Sequence, residues 1–213
     1  MHKSFVIAID GTAASGKGTL AKRLAKHFNY AHLDTGKIYR ALAYRVIQTN
    51  TDPSNTNAVV DLIGSISDIK FDNPELVSNE VGKMASIVSP IPQVRENLLD
   101  YQRKFPTVSL EKNFDGVVVD GRDIGSVIFP DADVKFFVDA DVEVRAKRRF
   151  DELIARGDNV EFETILNDIK VRDTADKNRA TSPLIKCDDA HSVDTTNVDI
   201  DTMVQNAIDI IAK

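Results

Sequence analysis

The chain has 213 residues, of which 27 are Lys or Arg and 33 are Asp or Glu, so its formal net charge is −6. This length suits one domain, or one domain with an insertion, and the 42% hydrophobic content excludes wholesale disorder. The longest apolar runs, such as Phe5 to Ile9, are far shorter than the roughly 18 residues that cross a bilayer. We therefore expect no membrane span and no signal peptide.

The charge and the cysteine count narrow the class of protein further. An acidic chain is poorly suited to a broad nucleic-acid-binding surface, so any anion would have to be bound by a small local cluster. The single cysteine, Cys187, cannot form an intrachain disulfide, which agrees with a reducing compartment. We expect a cytoplasmic monomer that binds neither nucleic acid nor membrane.

Short β-branched apolar runs alternate with helical patterns, which is typical of strand–helix–strand units around a parallel sheet. The predicted strands cover residues 5–9, 30–33, 116–120, 134–138 and 192–193. The predicted helices begin near residues 17 and 35 and cover 79–88, 92–105, 142–156, 162–177 and 200–211. Residues 50–78 are predicted to form an insertion or small subdomain with a short helix and a weak strand around 69–71. The predicted fold class is α/β, with five parallel strands and helices on both faces.

A glycine-rich segment joins the first predicted strand to the first predicted helix. It consists of Gly11, Thr12, Ala13, Ala14, Ser15, Gly16, Lys17, Gly18 and Thr19, and its spacing and context are those of a P-loop. The backbone N–H groups and the helix start would bind phosphates, and Lys17 would reach the β- and γ-phosphates. The alternative is a glycine-rich turn that binds nothing, which the strand and helix on either side disfavour.

The residue after the P-loop lysine is unusual. Gly18 lies where most P-loops carry the Mg²⁺-binding hydroxyl, and Thr19 follows it, an order typical of nucleoside monophosphate kinases. Asp10 and Asp120 end two predicted central strands, beside the crevice where open α/β sheets bind ligands. Asp120 is the candidate for orienting the water shell of Mg²⁺, the alternative being a plain turn residue before Gly121.

Arginines are spread through the chain after the P-loop. They include Arg40, Arg95, Arg122, Arg145, Arg148, Arg149, Arg172 and Arg179. An enzyme that transfers a phosphoryl group between two nucleotides must neutralise the negative charge on the phosphates of both. Arginine suits this task because it binds phosphate bidentately and stays charged. Each arginine alone could form a surface ion pair. As a set after a P-loop, they favour an anionic acceptor.

Several segments in this order resemble the bacterial cytidylate kinase family. They read IDG at 9–11, GKGT at 16–19, LDTGKIYR at 33–40, DGRDIG at 120–125, RD at 172–173 and DKNR at 176–179. The resemblance spans roughly residues 5 to 212, and DGRDIG is its most specific mark. Shared P-loops are common, whereas this combination is not.

The resemblance implies an acceptor site for CMP or dCMP. It assigns Thr35, Arg40 and Arg122 to the CMP phosphate, Ser86, Arg95 and Asp123 to the cytosine, and Arg172 and Asp176 to the ribose. The role of Asp123 agrees with base chemistry, because a carboxylate accepts a hydrogen bond from the exocyclic amine of cytosine.

The resemblance also implies a P-loop NTPase fold that uses ATP and Mg²⁺. The catalytic residues would be Lys17, Arg122, Arg179 and Asp120, and Thr19 and Asp120 would hold the metal, Asp120 through water. A mobile lid over about 145–165 would bring Arg149 to ATP, and residues of about 50–90 would form a monophosphate-binding insertion. That insertion is shorter than is usual in bacterial members.

Rival functions are distinguished by particular residues. A kinase for UMP, AMP or a small hydroxylated metabolite is the near alternative, and Asp123 disfavours UMP because uracil presents an acceptor at O4. A GTPase-type switch needs an Asn-Lys-x-Asp motif, which is absent, and a helicase or motor needs a longer chain. No metal-ligand spacing connects Cys187 with His2, His27, His32 and His191.

Overall fold

Five strands form one sheet in the computed structural model, which describes residues 4–212. The strands are β1 Phe5–Gly11, β2 Ala31–Asp34, β3 Gly116–Gly121, β4 Val134–Asp139 and β5 His191–Asp194. Their order in the sheet is β2-β3-β1-β4-β5, and β1 is parallel to both β3 and β4. Strand β1 therefore lies at the centre, and the segment that follows it leaves the middle of the sheet. The predicted α/β fold class is confirmed.

Eight α-helices surround or follow these strands within the described residues. They are α1 Lys17–Phe28, α2 Thr35–Gln48, α3 Thr56–Asp61, α4 Asn79–Val88, α5 Pro92–Glu111, α6 Val142–Ala155, α7 Phe162–Asn178 and α8 Ile200–Ile211. Shorter 3₁₀ turns cover Ile63–Asp68 and Pro74–Val77, and a π-helical turn covers Ile124–Ile128. None of these helices is both long and apolar enough to traverse a bilayer.

The chain divides into two compact units. The first comprises residues up to Leu33 and from Pro106 onward, and the second comprises Asp34–Phe105. In the first unit, Ile7 and Ile9 of β1 pack with Phe136 against the apolar faces of α1 and α8. Helices α6 and α7 form a hairpin with a smaller core of their own around Leu153 and Ile165.

The second unit is built around α2. Asp34 begins this helix by accepting a hydrogen bond from the backbone N–H of Lys37 at 3.2 Å, as its capping position predicts. Ile38, Leu42 and Val46 share one face of the helix and are buried. Helix α2 packs against α4 and the 3₁₀ turns.

The weak strand predicted around residues 69–71 is wrong. Ile69 has extended backbone but only ends a 3₁₀ turn, and Phe71 lies in a turn whose carbonyl accepts from Lys37 Nζ at 2.8 Å. Asn73 then caps the next 3₁₀ turn by accepting from the N–H of Glu75. Turn residues on both sides leave too short an extended segment to pair as a strand.

The helix predicted over 92–105 is longer than expected. Helix α5 continues through Pro106 to Glu111, although proline removes one backbone donor and crowds the preceding turn. Val94, Leu98 and Gln102 are almost fully buried along one side of the helix, and Ser109 is buried beyond the proline. Burial on both sides of Pro106 therefore outweighs its intrinsic preference. The other predicted bounds differ from those observed by at most two residues.

Asp10, near the carboxyl end of β1, organises the π-helical turn, which the sequence did not predict. Its Oδ1 accepts from the N–H of Ile124 and its Oδ2 from the N–H of Gly125, both at 2.7 Å. Burial raises the pKa of the Asp10 carboxyl to about 6, and the two backbone hydrogen bonds only partly oppose this effect. Asp10 thus fixes the segment that follows Arg122 and Asp123.

The Asp10 carboxyl makes stability depend on pH. Its pKa is higher in the folded chain than the ordinary 3.8, so the folded state holds the proton more tightly and stability falls as the pH rises. We expect the free energy of unfolding of the wild type, relative to that of Asp10→Asn, to fall by about 1 kcal/mol between pH 5 and pH 7. Urea titrations of both proteins across that range measure it, and a difference that stays constant with pH would contradict it.

Replacing Pro106 tests the cost of proline inside α5. In Pro106→Ala the new N–H can donate to the carbonyl of Gln102, so we expect the free energy of unfolding to rise by about 1–3 kcal/mol. Urea unfolding followed by circular dichroism measures the change. Thr107→Ala, at the exposed neighbouring position, is the matched control and should change stability by no more than about 0.5 kcal/mol. An equal change in the free energy of unfolding for the two substitutions would show that Pro106 does not destabilise the helix.

Candidate active site

The P-loop begins where β1 and β4 approach each other closely. A Cβ on Gly11 would lie 2.0 Å from the carbonyl oxygen of Val138, so only glycine fits at this strand end. Gly16 is the N-cap of α1 and has φ of +90°, a left-handed conformation that glycine adopts without strain. Its carbonyl accepts from the N–H groups of Thr19 and Leu20, which begins the helix. The segment thus has the strand–loop–helix context that the motif predicts.

Side chains within and beside the loop fix its shape. Lys17 Nζ donates to the carbonyl of Thr12 at 3.1 Å, which draws the ammonium across the loop. The Thr12 hydroxyl donates to Asp139 Oδ1 at 2.6 Å, at the end of β4. Ser15 is fully buried. Together with the start of α1, whose N-cap Gly16 has no side chain, this arrangement presents a lysine and backbone donors to an anion.

Asp120 lies at the end of β3, next to the start of α1. Its Oδ2 lies 3.7 Å from where a Cβ on Gly18 would be, an ordinary van der Waals distance that places the carboxylate beside the first turn of α1. Asp120 is buried, whereas Thr19 is exposed on the first turn of the helix. Of the two predicted metal-binding residues, Asp120 is therefore the more enclosed.

His32 is a residue that the sequence analysis set aside. Its Nε2 lies 2.8 Å from Asp120 Oδ1, and both side chains are largely buried. The contact joins the ends of β2 and β3, which are neighbours in the sheet but 88 residues apart in the chain. The only signal in the sequence was that both residues lie near the ends of predicted strands. His2, which was set aside with it, lies outside the described residues.

Two arginines and two carboxylates form a compact cluster in the first unit. Arg122 Nε donates to Asp176 Oδ2 at 2.8 Å. Arg179 lies between Asp176 and Asp123, with N···O distances of 3.8 Å and 3.6 Å. Burial opposes ionisation of Asp176, but Arg122, Arg172 and Arg179 lower its pKa below the ordinary value. The cluster therefore keeps the Asp176 carboxylate charged beside guanidinium groups.

The second unit holds the remaining predicted acceptor residues. Thr35 is buried at the start of α2, and Arg40 of the same helix donates to the carbonyl of Leu76 at 2.7 Å. Arg95 is buried, donates to the carbonyl of Ser89 at 3.2 Å and lies 5.4 Å from the centre of the Tyr39 ring.

Ser86 differs from these three. Its hydroxyl donates to the carbonyl of Gly82, one turn earlier on α4, and the residue is exposed.

The three arginines of α6 have different environments. Arg145 is buried beneath the P-loop, and Arg148 donates to both the hydroxyl and the carbonyl of Thr195. Arg149 pairs with Glu152 on its own helix at 2.8 Å. Arg149 thus pairs within its own helix, whereas Arg145 and Arg148 contact other segments of the unit.

Comparison with known proteins agrees with this geometry. The sequence model of the cytidylate kinase family matches residues 7–213. A cytidylate kinase from Bradyrhizobium diazoefficiens is 50% identical over 206 residues, which are 97% of this chain and 95% of the relative. One from Rhodopseudomonas palustris strain BisB18 is 48% identical over the same shares of both chains.

One solved structure of the same fold is more distant in sequence. The crystal structure of an uncharacterized protein from Eubacterium ventriosum covers 99% of both chains with a TM-score of 0.54 and 18% identity, which shows the fold alone. The assignment of the chain to a family rests on the sequence comparisons. These extend over nearly the whole chain, including the P-loop, the Arg122–Asp123 segment and Arg179. The chain belongs to the cytidylate kinase family.

Proposed function

We propose that the chain transfers the γ-phosphoryl group of ATP to CMP or dCMP, giving ADP and CDP or dCDP. The observation that carries the proposal is the match of nearly the whole chain to cytidylate kinases at about 50% identity. The P-loop supports it, because its backbone donors and Lys17 suit a nucleoside triphosphate. The guanine-reading Asn-Lys-x-Asp motif of GTPases does not occur in the sequence.

On the donor side, residues 11–19 bind the phosphates of ATP. The N–H groups of the loop and the start of α1 surround the oxygens, and Lys17 neutralises charge on the β- and γ-phosphates. Arg149 reaches ATP from a lid over about 145–165, exchanging its partner Glu152 for phosphate. Closure of that lid would exclude water, which competes with CMP as the acceptor.

The residues around Asp120 suit Mg²⁺ held through water. Within residues 4–212 no cluster of three or more His, Cys, Asp or Glu could cage a metal ion by itself. A single buried carboxylate beside the loop suits an ion whose other ligands are waters and phosphate oxygens, with the Thr19 hydroxyl contributing. When bound, Mg²⁺ supplies charge neutralisation on the phosphates. His32 orients the carboxylate of Asp120.

On the acceptor side, roles in binding CMP are proposed for residues of each unit separately. In the second unit, with its insertion over about 50–90, Thr35 and Arg40 bind the phosphate and Ser86 and Arg95 bind the cytosine.

In the first unit, Arg122 binds the phosphate, Asp123 accepts the amine of cytosine, and Arg172 and Asp176 contact the ribose. Arg95 is buried and Arg40 and Arg122 are half-buried, and carbonyls or a carboxylate already hold their guanidinium groups. Such arginines need little reordering to bind an anion, which supports these roles.

The chemistry needs no strong general base. A phosphate monoester is largely dianionic near neutral pH, since its second pKa is about 6, so an oxygen of CMP can attack directly. Lys17, Arg122 and Arg179 then stabilise the charge on the transferring phosphoryl group. The remaining rate acceleration comes from positioning the two nucleotides. Because all these groups come from one chain, we infer that a monomer is sufficient.

A nucleotide panel tests the proposed function. We expect ADP release, in the presence of ATP and Mg²⁺, to be strong with CMP and dCMP, weak with UMP and absent with AMP and GMP. A coupled assay with each nucleotide measures it. Equal rates with UMP and CMP would contradict the proposed reading of cytosine. No rate with any nucleotide would point instead to a small hydroxylated acceptor.

Asp123 is the residue on which base selection depends. In Asp123→Asn the side chain keeps its shape but can donate to O4 of uracil, so the ratio of kcat/KM for CMP to that for UMP should fall by about 10-fold or more. We expect kcat with saturating CMP to fall less than this ratio. Asp131→Asn, the same change at an exposed turn, is the control and should leave the ratio unchanged. Equal losses of kcat/KM with CMP and with UMP would show that Asp123 does not select the base.

A further inference from the structure

Three carbonyl groups of the P-loop are held by side chains. The carbonyl of Thr12 accepts from Lys17 Nζ at 3.1 Å, as described above. The carbonyl of Ala13 accepts from Arg145 Nη1 at 3.1 Å, and that of Ser15 from the Thr195 hydroxyl at 2.8 Å. Two of these three donors come from elements far along the chain.

The direction of these carbonyls decides where the loop's donors point. In a trans peptide the C=O of one residue and the N–H of the next point in opposite directions. Holding the carbonyl of Ala13 towards Arg145 therefore turns the N–H of Ala14 the other way. Successive N–H groups turned to one side form an anion-binding concavity. The side chain that fixes a carbonyl thus also fixes a donor for phosphate.

Arg145 is held firmly in this position. It is 5% exposed, and its Nε donates to the carbonyl of Ala140 at 2.8 Å. Its Nη1, the atom that bonds Ala13, also lies 2.7 Å from Asp173 Oδ2 on α7. Asp139, whose carboxylate accepts from the Thr12 hydroxyl, lies 3.7 Å from Nε. One guanidinium therefore contacts the P-loop, the end of β4 and α7 together.

The chemistry of arginine suits this position. A planar fork with five donors can bond two carbonyls and a carboxylate at fixed angles, which a lysine ammonium does not reproduce. Asp173 is also buried, so it compensates the charge of Arg145 where water is scarce. Arg145 and Asp173 are only 5% and 8% exposed, which leaves the pair little surface from which to bind a ligand directly.

We propose that Arg145, held by Asp173, is a positioning residue that orients the P-loop N–H groups for the phosphates of ATP. It acts through the Ala13 carbonyl and does not contact the nucleotide, so it differs in role from Arg149 on the same helix. The inference rests on the proposed function only in taking ATP as the ligand of the P-loop.

The first test measures nucleotide binding without catalysis. Arg145→Met removes the guanidinium, and Arg23→Met makes the same change at an exposed position of α1 that pairs with Asp201. Titration with a fluorescent ATP analogue, in the absence of CMP, gives Kd. We expect Kd to rise about 10- to 100-fold for Arg145→Met and less than about twofold for Arg23→Met.

The second test separates positioning from stability. We expect KM for ATP to rise with Kd in Arg145→Met, while KM for CMP stays within about threefold of the wild type. A residue that only stabilised the fold would lower Tm and the active fraction and leave both KM values unchanged. A fall in Tm with unchanged affinity for ATP would overturn the proposal.

Two milder variants keep the test informative if Arg145→Met fails to fold. Arg145→Lys retains the charge without the fork and should still weaken ATP binding about 10-fold. Asp173→Asn leaves Arg145 in place without its carboxylate partner and should give a smaller rise in Kd. Wild-type affinity in both variants would contradict the proposal. The Kd for the ATP analogue is measured without an acceptor nucleotide. These outcomes therefore test the proposal even if CMP proves not to be the substrate.

Discussion

The carboxyl end of β1 is held on both sides, and the arrangement of the site depends on that restraint. Towards β4, the approach of Gly11 to the carbonyl of Val138 leaves no space for a side chain. Towards β3, the Asp10 carboxylate accepts two N–H groups from the turn that follows Arg122 and Asp123. The P-loop and the Arg122 segment are therefore set by adjacent residues of one strand. Burying a carboxylate in this way has an energetic cost, which its raised pKa records.

Charge in this molecule is organised locally rather than globally. The chain has a net charge of −6, yet it gathers guanidinium groups wherever the proposed reaction handles phosphate. Arg122 and Arg179 lie against Asp176, and Arg145 lies against Asp173. Such pairing keeps cations in place inside the protein at a lower desolvation cost than an isolated charge would have.

Local patterns in the sequence predicted most of the fold. Helical periodicity, the Asp34 cap and the glycines of the P-loop depend on neighbouring residues, so the helices and the phosphate loop were predicted close to their observed bounds. The sequence failed where distant packing decides, as in α5 beyond Pro106, or where an apolar residue such as Ile69 packs without a strand. For the candidate site, the motifs predicted the turn between β1 and α1 and placed Asp120 near the end of a strand. They could not show the pairing of His32 with Asp120, because no short motif connects residues that far apart.

The glycine at position 18 also bears on how P-loops can change during evolution. In this chain the Asp120 carboxylate lies against the space that a side chain at position 18 would enter, and His32 holds its other oxygen. A Cβ at position 18 would meet that carboxylate only at ordinary van der Waals distance, so a serine there would fit without displacing the acid. In other P-loop proteins a hydroxyl directly after the lysine and an acid at a strand end hold Mg²⁺ together. The position of the loop hydroxyl can therefore change by single substitutions while the acid at the end of β3 stays in place.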